Sequence, residues 1–237
     1  MKRSILKLSL LWAFLMLGFI PSVWSDGGGN EVRRYVEQKD GQPKPVLWQL
    51  ARGDGYRLVY QNPEETHITE TDTDMRTFSW HMSNAPEEVF VQATREADVI
   101  VVRGSRKGQT VEERFVVDQA PWFQATSLSL RKFVLSQEAR TTFWTLRPDT
   151  LKAMKLTATK VAQETIEAAG ASQAAVKVEL RADGWRSAFW KSHYWFRASD
   201  GLLLRFEGQA GPSPAHRVVI AYAGDQRSQP SPFRAAR

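Results

Sequence analysis

Residues 174–181 read Ala-Ala-Val-Lys-Val-Glu-Leu-Arg, and residues 191–197, before the turn Ser199-Asp200-Gly201, read Lys-Ser-His-Tyr-Trp-Phe-Arg. In the first stretch Ala174, Val176, Val178 and Leu180 alternate with Ala175, Lys177, Glu179 and Arg181. That period of two describes a strand with one apolar face and one wet face. In the longer run from Ala188 to Arg197 that contains the second stretch, Trp190, Tyr194 and Phe196 share a face with Ser192, while Phe189, His193 and Trp195 share the other with Lys191 and Arg197. Both faces carry rings, so each must be covered by protein or by something else.

Working outward, the same grammar repeats on both sides. Ala169-Gly170-Ala171-Ser172 is a turn behind Lys155 to Val161, and Asp183-Gly184 and Ser199-Asp200-Gly201 lead into further strands, ending with Leu202 to Glu207 and Val218 to Tyr222. In the first half, Tyr56 to Gln61, Thr66 to Thr71, Phe78 to Met82, Val89 to Thr94, Val99 to Arg103 and Thr110 to Val117 are short runs parted by turn residues, with Thr141 to Leu146 following later. The spacing predicts roughly ten strands joined as a meander. The Thr-rich run 66–71 is expected at a sheet edge, and Phe78, Trp80 and Met82 are expected on one face. Only after Pro121-Trp122 does a helical pattern appear, with Phe123, Leu128, Leu130, Phe133, Val134 and Leu135 too crowded for a thin stripe. The expected class is mainly β (α+β), with a curved antiparallel sheet or half-barrel wrapped around one principal helix.

The apolar helix around Phe123 to Leu135, the strand with Lys160 to Glu164, the turn Ala169-Gly170-Ala171-Ser172 running into Ala175 to Leu180, the aromatic Tyr194-Trp195-Phe196, and Asp200-Gly201 before Leu204-Arg205-Phe206-Glu207 together carry a likeness. Over about residues 121–208 the chain resembles a family of bacterial periplasmic proteins whose domain is of unknown function, related in shape to the LolA/LolB lipoprotein carriers. The resemblance implies a half-barrel sheet enclosing a helix; it implies no reaction.

The chain opens with Lys2, Arg3 and Lys7, then an apolar stretch from Leu8 to Ile20, Pro21, and Val23-Trp24-Ser25. Charge, grease and a small residue in that order form a secretory signal, with cleavage expected after Ser25. The apolar stretch is too short to span a bilayer as an anchor, which needs roughly 20 residues. The expected organisation is a signal peptide at 1–25, a flexible lead-in at 26–45, a single β-rich domain at 46–224 and a flexible tail at 225–237. The expected compartment is a periplasm, with the mature chain not integral to the membrane. Of 237 residues 42% are hydrophobic and none is cysteine, which removes disulfides, thiolate catalysis and a lipid-modified N-terminal cysteine. The net charge of +6 shrinks without Lys2, Arg3 and Lys7, since the other 29 bases outnumber the 26 acids by only three. No nucleic-acid partner is expected.

A search for chemistry finds four histidines, at 67, 81, 193 and 216, and no HExxH, G-x-S-x-G or phosphate-loop motif. His81 and His193 are weighed as a cross-strand metal pair, and the ordinary polar-face reading is preferred. Glu70, Asp72 and Asp74 are weighed as a calcium clasp and read as a solvated turn, because the glycine and the distal glutamate of a calcium loop are missing. Arg103, Arg106 and Lys107 are read as a charged turn that keeps the sheet soluble. No catalytic residue, metal or cofactor is assigned. The expected function is a non-catalytic exported protein that binds an apolar or amphiphilic ligand, such as a lipid or lipidated substrate, in envelope maintenance. Its contact set is Trp80, Trp190, Tyr194, Trp195 and Phe196 as apolar walls, with His193 as a polar handle. The alternative is an envelope protein-interaction module that docks through the 66–71 strand.

Overall fold

A computed structural model of the protein describes residues 30–39, 41–183, 191–209 and 217–225. Fourteen strands form one antiparallel sheet. The first eight are β1 (Glu31–Lys39), β2 (Gln42–Arg52), β3 (Tyr56–Gln61), β4 (Glu65–Thr71), β5 (Thr77–Asn84), β6 (Val89–Glu96), β7 (Val99–Arg106) and β8 (Gln109–Val116). After the helical turns α1 (Thr126–Ser129) and α2 (Arg131–Leu135) come β9 (Arg140–Leu146), β10 (Ala153–Ala168), β11 (Ala171–Ala182), β12 (Lys191–Arg197), β13 (Leu203–Gln209) and β14 (Arg217–Asp225). The order across the sheet is β8-β7-β6-β5-β4-β3-β2-β1-β14-β13-β12-β11-β10-β9, so the chain starts in the middle and walks to one edge. It then crosses as α1 and α2 and walks back from the other edge until β14 meets β1.

Hairpin chemistry explains most of this. Lys107-Gly108 and Ala169-Gly170 have positive φ at both positions, the backbone that matches the twist of two strands joined by a two-residue turn. Val176, Val178, Leu180 and Ala182 are buried in β11 while Lys177, Glu179 and Arg181 turn outward. Ala174 and Ala175 depart from the expected alternation, Ala174 being exposed and Ala175 buried.

The curved sheet wraps around the helical segment, as the crowded apolar pattern demanded. That segment is two consecutive turns rather than one long helix, with Leu128 and Leu130 fully buried and Phe133 and Val134 nearly so. They pack with Tyr35, Trp48, Phe143, Val178, Phe196 and Leu204 in one core. A second core gathers Trp80, Val91, Ile100, Trp122 and Leu146.

Four expectations need correction. Within the expected flexible lead-in, residues 31–39 form β1 and residues 42–45 the start of β2. Pro43 and Pro45 masked that strand in the sequence. They lie opposite Gln38 and Val36, alternate positions whose N–H would point away from β1, and β3 begins pairing only at Leu47. The described residues form fourteen strands where roughly ten were expected. β4, expected at an edge, lies inside the sheet between β3 and β5, so the dock proposed for residues 66–71 has no free backbone. Phe78 does not share a face with Trp80: Thr71 lies opposite Thr77 and Glu70 opposite Ser79, which leaves Phe78 as the extra residue of a bulge and turns it outward. The leader 1–25, most of the tail, and Trp185, Phe189, Trp190 and His216 lie outside the described residues.

Candidate functional site

The concave face of the sheet and α1 do not close on one another completely. Between them lies a cleft of about 200 Å³ walled by Tyr35, Trp48, Tyr60, Tyr194 and Phe206, with Thr126 and Ser127 of α1 as its roof. A second space of about 190 Å³ adjoins it, sharing Trp48, Tyr60, Thr126, Ser127 and Ile220 and reaching to His67 and Trp80.

The three tyrosines of the wall are held by polar contacts, whereas the Trp48 indole N–H is buried without a hydrogen-bond partner among the described residues. The Tyr35 hydroxyl donates to the carbonyl of Leu203 at 3.0 Å. The Tyr60 hydroxyl donates to Glu37 at 3.1 Å, and the hydroxyls of Thr126 and Tyr194 share a hydrogen bond of 3.0 Å that ties α1 to β12. Burial pushes the Tyr194 phenol up to about 12, with the Thr126 hydroxyl opposing the shift. Burial likewise raises Tyr35 and Tyr60, the latter with help from the neighbouring Glu37 charge. The aromatic wall is therefore uncharged at any physiological pH. Tyr194 also packs on Phe196 with rings parallel to within 8° and centroids 5.9 Å apart, and on Phe206 at 4.8 Å.

At the far end the Trp80 indole donates to His67 Nδ1 at 3.3 Å, which puts the imidazole proton on Nε2, 3.4 Å from Glu65. Burial works to raise the Glu65 carboxyl, but His67, Asn84 and Lys39 outweigh it and hold it below its ordinary value. This set of contacts orients the His67 and Trp80 rings. Ser79 Oγ and His81 Nε2 are 3.4 Å apart, longer than the roughly 2.6–3.2 Å over which a base activates a hydroxyl. Burial lowers His81.

The expected contact residues divide between two faces. Trp80, Tyr194 and Phe196 are on the concave side, Trp80 and Tyr194 on the cleft itself and Phe196 fully buried behind Tyr194. His193 and Trp195 are on the outer face. His193 Nε2 is 3.2 Å from Glu179. Trp195 is covered by neighbouring strands: Lys177 sits 4.8 Å and Arg205 5.8 Å from the ring, directly across from it on β11 and β13, and its indole donates to Glu164. Trp190 lies outside the described residues. The sequence reading missed Tyr35, Trp48, Tyr60, Phe206 and Ile220. Tyr56, Leu58 and Tyr60 alternate in β3 and pointed at one shared face, whereas Tyr35 stood in a segment read as a lead-in.

The other candidates resolve as structure. Asp72 accepts the amides of Asp74 and Arg76, each at 2.8 Å, and Asp74 meets Lys132 at 2.7 Å, the bonding of a solvated turn. Arg103 pairs with Glu112 and Arg106 with Glu87. His81 on β5 and His193 on β12 are separated by six strands in the sheet. Among the described residues no group of three or more His, Asp or Glu side chains is arranged to hold a metal ion, and no helix is long and apolar enough to cross a membrane.

Against known proteins, no family model and no curated relative matches this chain. Among solved structures it is similar to a beta-barrel-like protein of domain of unknown function DUF1849 from Brucella abortus, with a TM-score of 0.56 at 11% identity over 84% of this chain and 98% of that one. The fold is shared. Two weaker likenesses, which carry no argument alone, are to the hypothetical lipoprotein YmcC from Escherichia coli (TM-score 0.42, 11% identity, 83% and 85% covered) and to a putative outer membrane lipoprotein-sorting protein domain from Vibrio parahaemolyticus (TM-score 0.32, 10% identity, 88% and 90% covered). The resemblance read from the sequence, to a family whose domain is of unknown function, agrees in fold with the Brucella abortus protein.

Proposed function

We propose that the protein is an exported, non-catalytic component of a bacterial cell envelope that shelters the apolar chain of a lipid or of a lipidated polypeptide between α1 and the concave sheet. The observation that carries this reading is the paired cleft, bounded by neutral aromatic rings and roofed by a two-turn segment. Each space alone is smaller than the roughly 300–1,000 Å³ of an ordinary ligand pocket, so an extended chain would thread both. Lys2, Arg3, Lys7 and the apolar stretch to Ile20 supply the export step of this reading. Glu37 and Glu65, beyond Tyr60 and His67, would meet the polar end of an amphiphile.

The test is binding. The protein purified without detergent is extracted for mass spectrometry, and a fluorescent fatty acid is titrated into the delipidated protein. Co-purifying lipid and saturable fluorescence enhancement are expected, with Ile220→Trp, which fills the shared wall, weakening probe binding at least tenfold while the near-ultraviolet dichroism stays folded. Absence of both lipid and probe binding in the folded wild type defeats the proposal.

A further inference from the structure

The two edges of the sheet differ. Part of β9 is covered by the chain before α1: the amide of Trp144 donates to the carbonyl of Pro121 at 2.7 Å, and that of Phe123 to Trp144 at 2.8 Å. Along β8 no described strand is paired on the outer side. Arg106 lies opposite Gln109 across the two-residue turn, and the amide of Val117 donates to Asp98 at 2.7 Å. Those two contacts set the alternation: Val111, Glu113 and Phe115 aim their backbone groups at β7, while Thr110, Glu112, Arg114 and Val116 aim theirs outward. The side chains of these four are exposed, Val116 at 79%. β8 contains no proline or glycine, and its register with β7 is unbroken from Val116 to Gln109. A regular edge of this kind is a template for another strand.

We propose that β8 pairs antiparallel with β8 of a second copy of this chain, about a twofold axis at Glu113. The choice of partner follows from charge and parity. A symmetric pair must set outward-aimed residues against outward-aimed residues. An axis on Glu112 or Arg114 puts like charge on like charge, and one on Val111 or Phe115 runs past the end of the strand. The axis on Glu113 sets Glu112 opposite Arg114 of the second copy twice and Thr110 opposite Val116 twice, so every outward backbone group is matched. On the concave face the same register sets Val111 against Phe115. Arg114 has no ion-pair partner among the described residues, whereas Glu112 meets Arg103 at 3.6 Å with most of its carboxylate still in solvent. At the axis the two Glu113 carboxylates face each other, each already neutralised by its own Lys152 at 2.6 Å. The cleft under α1 is untouched by this pairing, so the proposal is independent of lipid binding.

The absence of cysteine makes the register directly testable. At a non-hydrogen-bonded antiparallel pair the Cα atoms are about 4.5 Å apart, within disulfide range. Glu113→Cys is expected to oxidise to a covalent dimer at least tenfold faster than Val111→Cys or Phe115→Cys, each being the sole thiol of its chain. By sedimentation equilibrium the wild type is expected to dimerise. Arg114→Glu should raise the dissociation constant about tenfold or more, and the swap Glu112→Arg with Arg114→Glu should restore it. A wild type that stays monomeric at about 100 μM, a concentration at which even a weak edge pair would populate, overturns the proposal. So do equal oxidation rates at the three thiols, or dimerisation that appears only after residues 226–237 are removed, which would mean the chain's own tail covers the edge.

Discussion

Tyr194 concentrates the logic of the cleft in one side chain. Its hydroxyl is buried, bonded to Thr126, and protonated up to about 12 against an ordinary 10.0. A phenol whose folded value lies above its unfolded value contributes stability that is intact below pH 10 and is lost as pH rises toward 12. Tyr35 and Tyr60 shift the same way. Alkaline titration followed at 295 nm should therefore show tyrosine ionisation coinciding with loss of the β-sheet dichroism. Tyr194→Phe should move that transition to higher pH while costing about 1 kcal/mol at neutral pH for the lost hydrogen bond. Tyrosines that ionise freely near 10 in a protein still folded would contradict the buried placement. At this scale the sequence was a partial guide: Trp80, Tyr194 and Phe196 were selected by alternation, but nothing local distinguished a ring under Lys177 and Arg205, as Trp195 is, from one lining a cavity.

Among elements, β5 shows how a single bulge redirects a strand. Thr77-Phe78-Ser79-Trp80 alternates large and small, yet the register against β4 slips at Glu70/Thr71 and expels Phe78 to 47% exposure, while Trp80 is fully buried beside His67. Phe78→Ser is expected to change unfolding free energy by no more than about 0.5 kcal/mol. Trp80→Ala should cost about 3–5 kcal/mol, because it empties a core site and leaves His67 without its donor. Urea denaturation of the two variants decides this, and comparable losses would mean the bulge is misplaced. The helix carries the same lesson. The density of Phe and Leu from 123 to 135 announced burial on most sides, and the two turns are buried there, but the break into α1 and α2 at Leu130 was not legible in that density.

For the whole molecule, the pairing of β1 with β14 is the seam between two meanders, and among the described residues it is the one strand pairing that joins the first eight strands to the last six. Every other ladder joins neighbours in sequence, so its loop-closure cost is small, whereas the seam joins residues almost the full described length apart. The Tyr35 hydroxyl reaches across to Leu203 at 3.0 Å, and its ring packs on Tyr222 at 5.6 Å. Tyr35→Phe should destabilise by about 1–3 kcal/mol, since a buried carbonyl loses its donor. The loss should appear almost entirely as faster unfolding, with folding unchanged, if the hairpins form before the seam closes. Stopped-flow kinetics in urea would show this. A slowed folding limb would mean that the seam belongs to the nucleus.

By itself the amino-acid order settled what is local: the strand periodicity of β3, β6, β7 and β11, the places of the turns around Lys107-Gly108 and Ala169-Gly170 though not their two-residue length, the crowded apolar stretch before β9, and the lack of any thiol or recognised catalytic motif. These follow from period-two patterning and turn chemistry, which act over a few residues. Tertiary structure alone decided that β1 and β2 are strands despite their prolines and charges, that β4 is interior, that Phe78 is expelled, and which rings meet across the cleft. Each of those outcomes depends on register, bulges and packing across the assembled sheet, which are set by how whole strands lie side by side and not by the local pattern of any one of them.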